Sequence, residues 1–156
     1  MLTVSVADEA FETAVGMERV GREFYEALAL GCDDERVRLF CVQAARDEGR
    51  HLDAFREMQR QWDRRNGAVP VSPETAARLQ AMVKSRVLPD PNVVRRVAMG
   101  GKLGDALRMA IQMERDSVSF YQGLARELPH LGEPLRAIIT EEGRHLQALT
   151  VLGEPG

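Results

Sequence analysis

Residues 48–52 read Glu-Gly-Arg-His-Leu, and residues 142–146 repeat the same five residues in the same order. A second repeat precedes each copy, because segments 17–25 and 113–121 both begin with Met-Glu-Arg and end with Phe-Tyr. The chain therefore presents a glutamate followed by a Glu-x-x-His motif, and it does so twice. Four carboxylates and two imidazoles on facing helices are the set with which a four-helix bundle holds a pair of metal ions. This doubled pattern predicts the fold and the site together.

The motif spacing places each glutamate and its histidine on one side of a helix. Residues three apart have Cβ atoms roughly 5–6 Å apart, so Glu48 and His51 project together, as do Glu142 and His145. Because one ion can bind a carboxylate oxygen and an imidazole nitrogen from a single helix, each motif predicts half of a metal site. The six candidate metal ligands are Glu18, Glu48, His51, Glu114, Glu142 and His145.

The candidate ligands also lie at matching heights along the predicted helices. With a rise of about 1.5 Å per residue, those of the first half lie about 21–29 Å from a turn near Cys32. Those of the second half lie about 18–24 Å from a turn near His130. Packing two helix hairpins with their turns at opposite ends would therefore bring both sets to one level.

Composition and periodicity predict an all-α protein with one domain over residues 1–156. Ala, Leu, Glu, Arg and Met dominate, which favours helices, and no stretch alternates with period two. Short turns join the first helix to the second and the third to the fourth, so each pair forms an antiparallel hairpin. One long crossover between hairpins is typical of ferritin-like four-helix bundles. The long helices are expected at about 5–30, 34–65, 105–128 and 134–152.

The crossover, at about 66–104, has a composition of its own. Glycine and proline open it at positions 67 and 70, and three glycines close it. Ser72 before Pro73 is typical of a helix start, and an apolar stripe follows. Because Pro89 and Pro91 come next, we expect one short helix within the crossover, ending before them.

Overall composition restricts the classes of function. The 156 residues are 44% hydrophobic and 29% charged, with a net charge of −3 and a pI of about 5.7. An acidic balance gives no attraction to phosphate backbones, so we expect no nucleic-acid partner. No apolar run approaches the roughly 20 residues that span a bilayer. The start lacks a basic region followed by an apolar one, so we expect no membrane association, no signal peptide and a cytoplasmic location.

Cys32 and Cys41 are the two cysteines, and no Cys-x-x-Cys pair occurs. A rubredoxin-type iron centre and a zinc site built on paired cysteines are therefore excluded. Both thiols are interpreted as ordinary packing residues, with a redox-active pair as the alternative.

The candidate carboxylates fall on apolar helix faces, where a charge is costly unless it is paired, protonated or bound to metal. Four of them in one core would repel one another, and their pKa values should rise when no metal is bound. Two divalent ions would bring four positive charges against four carboxylates, with both histidines neutral. This balance favours two ions over one.

Two tyrosines and two glycines lie close to the motifs. Tyr25 and Tyr121 each follow the first glutamate of their half by seven residues, which is two turns along the same face. Their hydroxyls either donate to a ligand carboxylate or lie at the rim of an ordinary aromatic core. Gly49 and Gly143, in mid-helix, would suit a close approach of helices beside the ions.

Taken together, these motifs resemble the rubrerythrin-like branch of the ferritin-like superfamily. The resemblance is carried by segments 17–25, 47–51, 113–121 and 141–145, and with the helix layout it covers nearly the whole chain. It implies a di-iron carboxylate centre with two iron ions per chain, for which manganese or zinc could substitute. It also implies a reaction with hydrogen peroxide or dioxygen.

The resemblance assigns a role to each candidate ligand. Glu48 and Glu142 would bridge the ions, Glu18 and Glu114 would be terminal ligands, and His51 and His145 would each bind one ion. Classical rubrerythrins also carry a rubredoxin domain and a further glutamate one turn along the third helix. Here there is no such domain, and the corresponding position is Ser117. Electrons would therefore come from an external donor protein or from a slow reductant.

These features predict an oxidoreductase that reduces hydrogen peroxide, or dioxygen, at a carboxylate-bridged dinuclear iron centre. Two alternatives remain open. One is a ferroxidase or iron-handling protein of ferritin type, in which Fe(II) is the substrate. The other is a non-catalytic bundle that uses bound metal for stability. We expect a homodimer, in which the long crossover would allow hairpins to exchange between chains.

Overall fold

The computed structural model describes residues 5–66 and 71–154, and every regular element within these ranges is a helix. The prediction of an all-helical protein is confirmed, and the four long helices agree with their predicted bounds to within two residues. None of the helices in these ranges combines the length and the apolarity needed to cross a bilayer. The helices are α1 (Val6–Gly31), α2 (Glu35–Asn66), α3 (Pro73–Ser85), α4 (Pro91–Gly100), α5 (Leu103–Glu127) and α6 (Gly132–Leu152), with a 3-10 turn at Pro129–Leu131.

Side-chain caps explain where the first hairpin begins and turns. The Ser5 hydroxyl oxygen accepts a hydrogen bond from the backbone N–H of Asp8 at 3.1 Å, at the start of α1. Asp34 Oδ1 accepts from the backbone N–H groups of Arg36 and Val37 at the start of α2. Both caps satisfy amide groups that have no partner within their own helix.

The crossover contains two helices, so the prediction of one short helix there was wrong. Pro91 begins α4 instead of ending α3, and the Asp90 carboxylate accepts from the backbone N–H of Asn92 at 2.7 Å. A proline in the first helical turn has no N–H that needs a partner, so a helix can start at it. The predicted opening of the crossover at positions 67 and 70 lies outside the described residues.

Cross-helix hydrogen bonds define the directions of the long helices. The three residues between α1 and α2 fold these helices back on each other. Tyr25 reaches Glu114 while Tyr121 reaches Glu18, so α1 and α5 are antiparallel as well. His51 meets Glu141 and Asp47 meets His145, which shows that α2 and α6 are antiparallel. The turns of the two hairpins therefore lie at opposite ends of the bundle, and the crossover returns the chain along its length.

The core consists of two apolar clusters, one on each side of the mid-helix level. On every long helix, the polar residues of the repeated motifs fall between these clusters. On α1, for example, the first cluster includes Phe11, the second includes Leu28, and Glu18 lies between them. The polar site is therefore enclosed by packed apolar side chains on both sides along the helix axes.

Candidate metal centre

The structure brings all six predicted residues together between the two apolar clusters. One comes from α1, two from α2, one from α5 and two from α6, so all four long helices contribute. Isolated buried charges of this kind are costly unless they are paired or hold a metal. The exposed fractions are 0% for Glu18, 2% for Glu48, 2% for His51, 2% for Glu114, 0% for Glu142 and 6% for His145.

The six side chains form two groups of four, and the groups share two members. In each group, one potential ligand atom per residue lies within 4.8 Å of all the others. Each group is therefore compact enough to hold a metal ion. We name them the first half-site, which is Glu18, Glu48, His51 and Glu142, and the second half-site, which is Glu48, Glu114, Glu142 and His145.

The two shared carboxylates lie between the two histidines. His51 Nδ1 is 3.2 Å from Glu142 Oε1, 4.0 Å from Glu48 Oε1 and 3.5 Å from Glu18 Oε2. His145 Nδ1 is 3.3 Å from the same oxygen of Glu142 and from the same oxygen of Glu48, and 3.4 Å from Oε1 of the α5 glutamate. Each shared carboxylate thus faces both rings, one from α2 and the other from α6.

The inward-facing atoms of this site find no hydrogen-bond partner within the described ranges. A buried polar atom without a partner costs on the order of 1–3 kcal/mol, so a cluster of them indicates a ligand. Carboxylate oxygens and neutral imidazole nitrogens are acceptors, which fit a metal cation and would repel an anion. The atoms are Glu18 Oε2, Glu48 Oε1, His51 Nδ1, Glu114 Oε2, both carboxylate oxygens of Glu142, and His145 Nδ1.

Two acidic residues orient the histidine rings from outside. His51 Nε2 lies 2.5 Å from Glu141 Oε2, and His145 Nε2 lies 2.9 Å from Asp47 Oδ2. Because an ionised carboxylate can only accept, Nε2 carries the proton and donates it. When a ring is neutral, this arrangement directs its Nδ1 lone pair at the site. Arg50 Nη2 holds both acids, at 2.5 Å from Asp47 and 3.2 Å from Glu141.

Sequence reasoning assigned no role to Asp47 or Glu141, although a signal is present. An acidic residue directly precedes the glutamate of each Glu-x-x-His motif. Each acid reaches the histidine of the other motif, 98 and 90 residues away in the chain. The pairing therefore depends on the register of α2 against α6, which local spacing does not define.

Each tyrosine hydroxyl donates to the glutamate of the other half of the chain. Tyr25 donates to Glu114 Oε1 at 2.6 Å, and Tyr121 donates to Glu18 Oε1 at 2.7 Å. Both rings are fully buried. Of the two interpretations of these tyrosines, the hydrogen bond to a carboxylate of the site is confirmed. The spacing left the direction of each hydroxyl open, and the glutamate that accepts from it lies on the opposite helix.

The site carboxyls shift one another's pKa values. Burial, followed by repulsion from neighbouring carboxylates, raises the pKa of Glu48 and Glu18 and raises that of Glu114 to about 8. Burial also acts to raise the pKa of Glu142, but the attraction of His145 and His51, whose Nδ1 atoms lie 3.3 and 3.2 Å from its Oε1, outweighs burial and lowers this pKa to about 2. The expected rise is therefore found for three carboxyls, and for Glu142 the expectation was wrong.

The same contacts favour protonated histidines in the protein alone. Burial acts to lower the pKa of each ring, yet the adjacent carboxylates raise it to about 10 for His51 and about 11 for His145. Around neutral pH, two imidazolium rings thus partly offset the charge of the carboxylates. A metal ion must displace these protons from Nδ1 before it binds.

Gly21, and not Gly49 or Gly143, is the glycine that the site requires. A Cβ at Gly21 would lie 2.7 Å from Glu48 Oε2, so any side chain there would displace a shared carboxylate. A Cβ at Gly143 would meet nothing within 4 Å, and one at Gly49 would meet only the Arg22 side chain at an ordinary distance. The predicted close approach of helices at Gly49 and Gly143 was therefore wrong.

The two cysteines are free thiols. Cys41 is fully buried in the second apolar cluster, and this burial raises its pKa to about 12. A thiol with so high a pKa is a poor nucleophile at neutral pH. This agrees with the interpretation of Cys41 as a packing residue.

Comparison with known proteins identifies no relative of this chain. No protein-family model matches it. Neither the curated proteins nor the solved structures give a significant match. Function is therefore inferred from the geometry and chemistry of the buried Glu/His site.

Proposed function

We propose that this protein is a di-iron oxidoreductase of rubrerythrin type, built on a ferritin-like bundle, which reduces hydrogen peroxide with electrons from an external donor protein. Two iron ions per chain would be held by the six residues of the half-sites. The observation that carries this proposal is that Glu48 and Glu142 each face both histidines. Two half-sites that share two carboxylates suit a dinuclear centre, in which one group bridges two ions.

The charge of the site and the type of its ligands support two divalent transition-metal ions such as iron, manganese or zinc. Four carboxylates balance two divalent cations when both histidines are neutral. Imidazole and carboxylate ligands suit iron, manganese and zinc, whereas the site contains no thiolate that would favour copper(I). The choice of iron follows from the resemblance to rubrerythrins.

The arrangement of the helices supports the proposed ferritin-like topology. Two antiparallel hairpins with turns at opposite ends need one connection that returns along the bundle, and α3 and α4 lie in that connection. This is the arrangement that a single long crossover produces in ferritin-like bundles. It also brings Glu-x-x-His motifs from α2 and α6 face to face.

A bound ferrous pair would supply one electron per ion, so that hydrogen peroxide and two protons yield two waters while both ions become ferric. The residues of the chain would position the ligands and shield the centre. Asp47 and Glu141 hold the imidazole rings with Nδ1 inward. Tyr25 and Tyr121 hold the two unshared carboxylates by one oxygen each, leaving the other oxygen free for metal. The apolar clusters close the site on both sides along the helix axes.

Anaerobic loading with Fe(II), followed by rapid mixing with peroxide or dioxygen, tests the proposal. We expect two Fe(II) per chain, oxidation that is faster with peroxide than with dioxygen, and one peroxide consumed per two irons. Faster reaction with dioxygen and continued iron uptake would instead identify a ferroxidase. Iron that reacts with neither oxidant would leave a metal-stabilised bundle without catalysis.

A matched pair of variants on α6 distinguishes the loss of a site carboxylate from the loss of any glutamate on this helix. Glu142→Ala removes a shared carboxylate and should abolish the two-iron stoichiometry. Glu133→Ala removes an exposed carboxylate of the same helix, whose side chain is 84% accessible, and should leave stoichiometry and oxidation unchanged. Equal iron contents in the two variants would contradict the proposed ligand set.

A further inference from the structure

A small cavity lies beside the second half-site, between α1 and α5, with segment 86–89 on one side of it. Among its described lining residues are the site carboxylates Glu48 and Glu114, but neither Glu18 nor His51. It offers about 60 Å³ of room to water-sized molecules. A water needs roughly 10–15 Å³ by this measure, whereas pockets for organic ligands are typically about 300–1,000 Å³. The cavity therefore fits a ligand of only a few atoms.

Two small residues leave room for this cavity. Gly21 on α1 and Ser117 on α5 both line it, each one turn after the first glutamate of its half. Ser117 is 7% exposed and presents a hydroxyl that can donate or accept a hydrogen bond. A longer side chain at either position would occupy space next to the carboxylates.

Arg86 is the one cation among the residues that the structure shows lining the cavity. Its Nη1 lies 3.1 Å from Asp116 Oδ1, which anchors the guanidinium to α5. Its Nε is buried and has no hydrogen-bond partner in the described part of the chain. A buried guanidinium N–H of this kind is a strong donor to an anion or to a peroxide oxygen.

We propose that this cavity is the binding pocket for the oxidant, and that Arg86 and Ser117 hold it against the second half-site. The ligand class is a molecule with two or three non-hydrogen atoms that accepts hydrogen bonds and carries or develops negative charge, such as hydrogen peroxide or its hydroperoxide anion. The identity of the oxidant rests on the proposed function. The pocket itself rests on the cavity, its one cation and the unpaired Nε.

The charge of the site makes anion binding dependent on metal. Glu48 and Glu114 line the pocket, so an anion would be repelled unless bound cations offset these carboxylates. Arg86 in turn disfavours entry of a free metal cation by this route. The pocket should therefore accept small anions only after the centre has been loaded.

Azide binding to the zinc-loaded protein, measured by calorimetry, tests the pocket without redox chemistry. We expect one azide per loaded chain and none in the chelated protein. Arg86→Gln should weaken azide binding by about tenfold or more, because a charge-assisted hydrogen bond is lost. Arg78→Gln is the matched control, since Arg78 also links α3 to α5, through Glu127 at 2.7 Å, and does not line the pocket. It should leave azide binding unchanged.

Ser117→Val gives a second, steric test that keeps the charge of the pocket. The extra methyl groups should fill the cavity and abolish azide binding, while zinc content and thermal midpoint stay close to those of the parent chain. Azide affinity that stays within twofold of the parent value in both Arg86→Gln and Ser117→Val would overturn the pocket while leaving the metal centre intact. A parent chain that retains no zinc would overturn the metal centre and the pocket together.

Discussion

The two half-sites contain matching residues but differ in their surroundings. Each has an unshared glutamate held by a tyrosine of the other half and a histidine with an acidic residue behind it. Only the second half-site contributes its unshared glutamate, Glu114, to the cavity wall, whereas Glu18 is fully buried. The chain thus combines a symmetric set of candidate metal ligands with a cavity that, among the described residues, is lined by the unshared glutamate of one half-site.

The difference originates in the crossover and not in the repeats. Helices α3 and α4 pack against α1 and α5, so the connection covers one side of the bundle. Arg86, in the segment between α3 and α4, lines the cavity beside the second half-site. In the functions proposed above, holding two ions would depend on the repeats, whereas admitting a small molecule would also depend on the crossover.

Removing a shared carboxylate should have the largest effect, because it breaks both half-sites at once. We expect Glu48→Ala to reduce metal content from two ions per chain to one or fewer. Glu18→Ala should spare the second half-site and leave one ion. Elemental analysis of loaded, desalted protein measures both contents. Two ions retained in Glu48→Ala would remove this residue from the centre, and a larger loss in Glu18→Ala than in Glu48→Ala would contradict the division into half-sites.

Glu114→Gln should stabilise the metal-free protein. Burial raises the pKa of Glu114 to about 8, from an ordinary value of 4.5. Since the folded-state pKa is the higher one, folding becomes less favourable as pH rises from about 4.5 to about 8. At pH 7 the substitution should raise the free energy of unfolding by up to about 3 kcal/mol. At pH 4 the gain should be absent.

Urea titration of chelated protein at pH 7 and pH 4 measures the effect of Glu114→Gln. The same variant should gain less stability from zinc than the parent chain, because the second half-site has lost a carboxylate. A metal-free variant that is less stable than the parent at pH 7 would show that Glu114 carries no electrostatic cost.

Substituting the acidic residues that bind the histidine Nε2 atoms should have a smaller effect on metal binding. The effect should be equal in the two half-sites. Asp47→Asn and Glu141→Gln each weaken the acceptor that holds an Nε2 proton, so zinc affinity should fall by about 10–100-fold in one half-site. Competition with a coloured chelator measures the loss. Asp53→Asn, at an exposed position of α2, is the control. Unchanged affinity in both test variants would mean that the acids do not orient the rings.

Loss of a tyrosine hydroxyl should have the smallest effect. Tyr25→Phe and Tyr121→Phe each remove one donor to a buried carboxylate, which should cost the metal-loaded protein about 1–2 kcal/mol of unfolding free energy. Because the bonds are equivalent, at 2.6 and 2.7 Å, the two losses should be similar. Thermal denaturation of the loaded variants measures this. A loss confined to Tyr25→Phe would show that the half-sites also differ in how they are held.

The sequence predicted the six site residues because the information is local. A Glu-x-x-His motif places both side chains on one face of a helix regardless of what packs against it. The same argument placed Tyr25 and Tyr121 on the faces that carry Glu18 and Glu114, but it left open whether their hydroxyls meet the site or the rim of the core. What it could not supply was the partner of each hydroxyl or the role of Asp47 and Glu141, because these depend on how α1 meets α5 and α2 meets α6.

The crossover shows two further limits of local reasoning. Pro91 was interpreted as a helix terminator, although Asp90 before it is a good cap and makes it a helix start. The cavity depends on how segment 86–89 folds onto α1, where a Leu88 methyl lies 2.8 Å from the position that a Cβ of Gly16 would take. Such a contact joins residues that are distant in the chain, and no spacing pattern predicts it.

The central claim is that two ions share Glu48 and Glu142 in one buried centre. A crystal structure of the iron-loaded protein with anomalous scattering data tests this most directly. We predict two anomalous peaks per chain, one bonded to His51 Nδ1 and the other to His145 Nδ1, with both shared carboxylates in contact with both ions. A single peak, or peaks confined to surface residues while the six side chains remain without metal, would contradict this account.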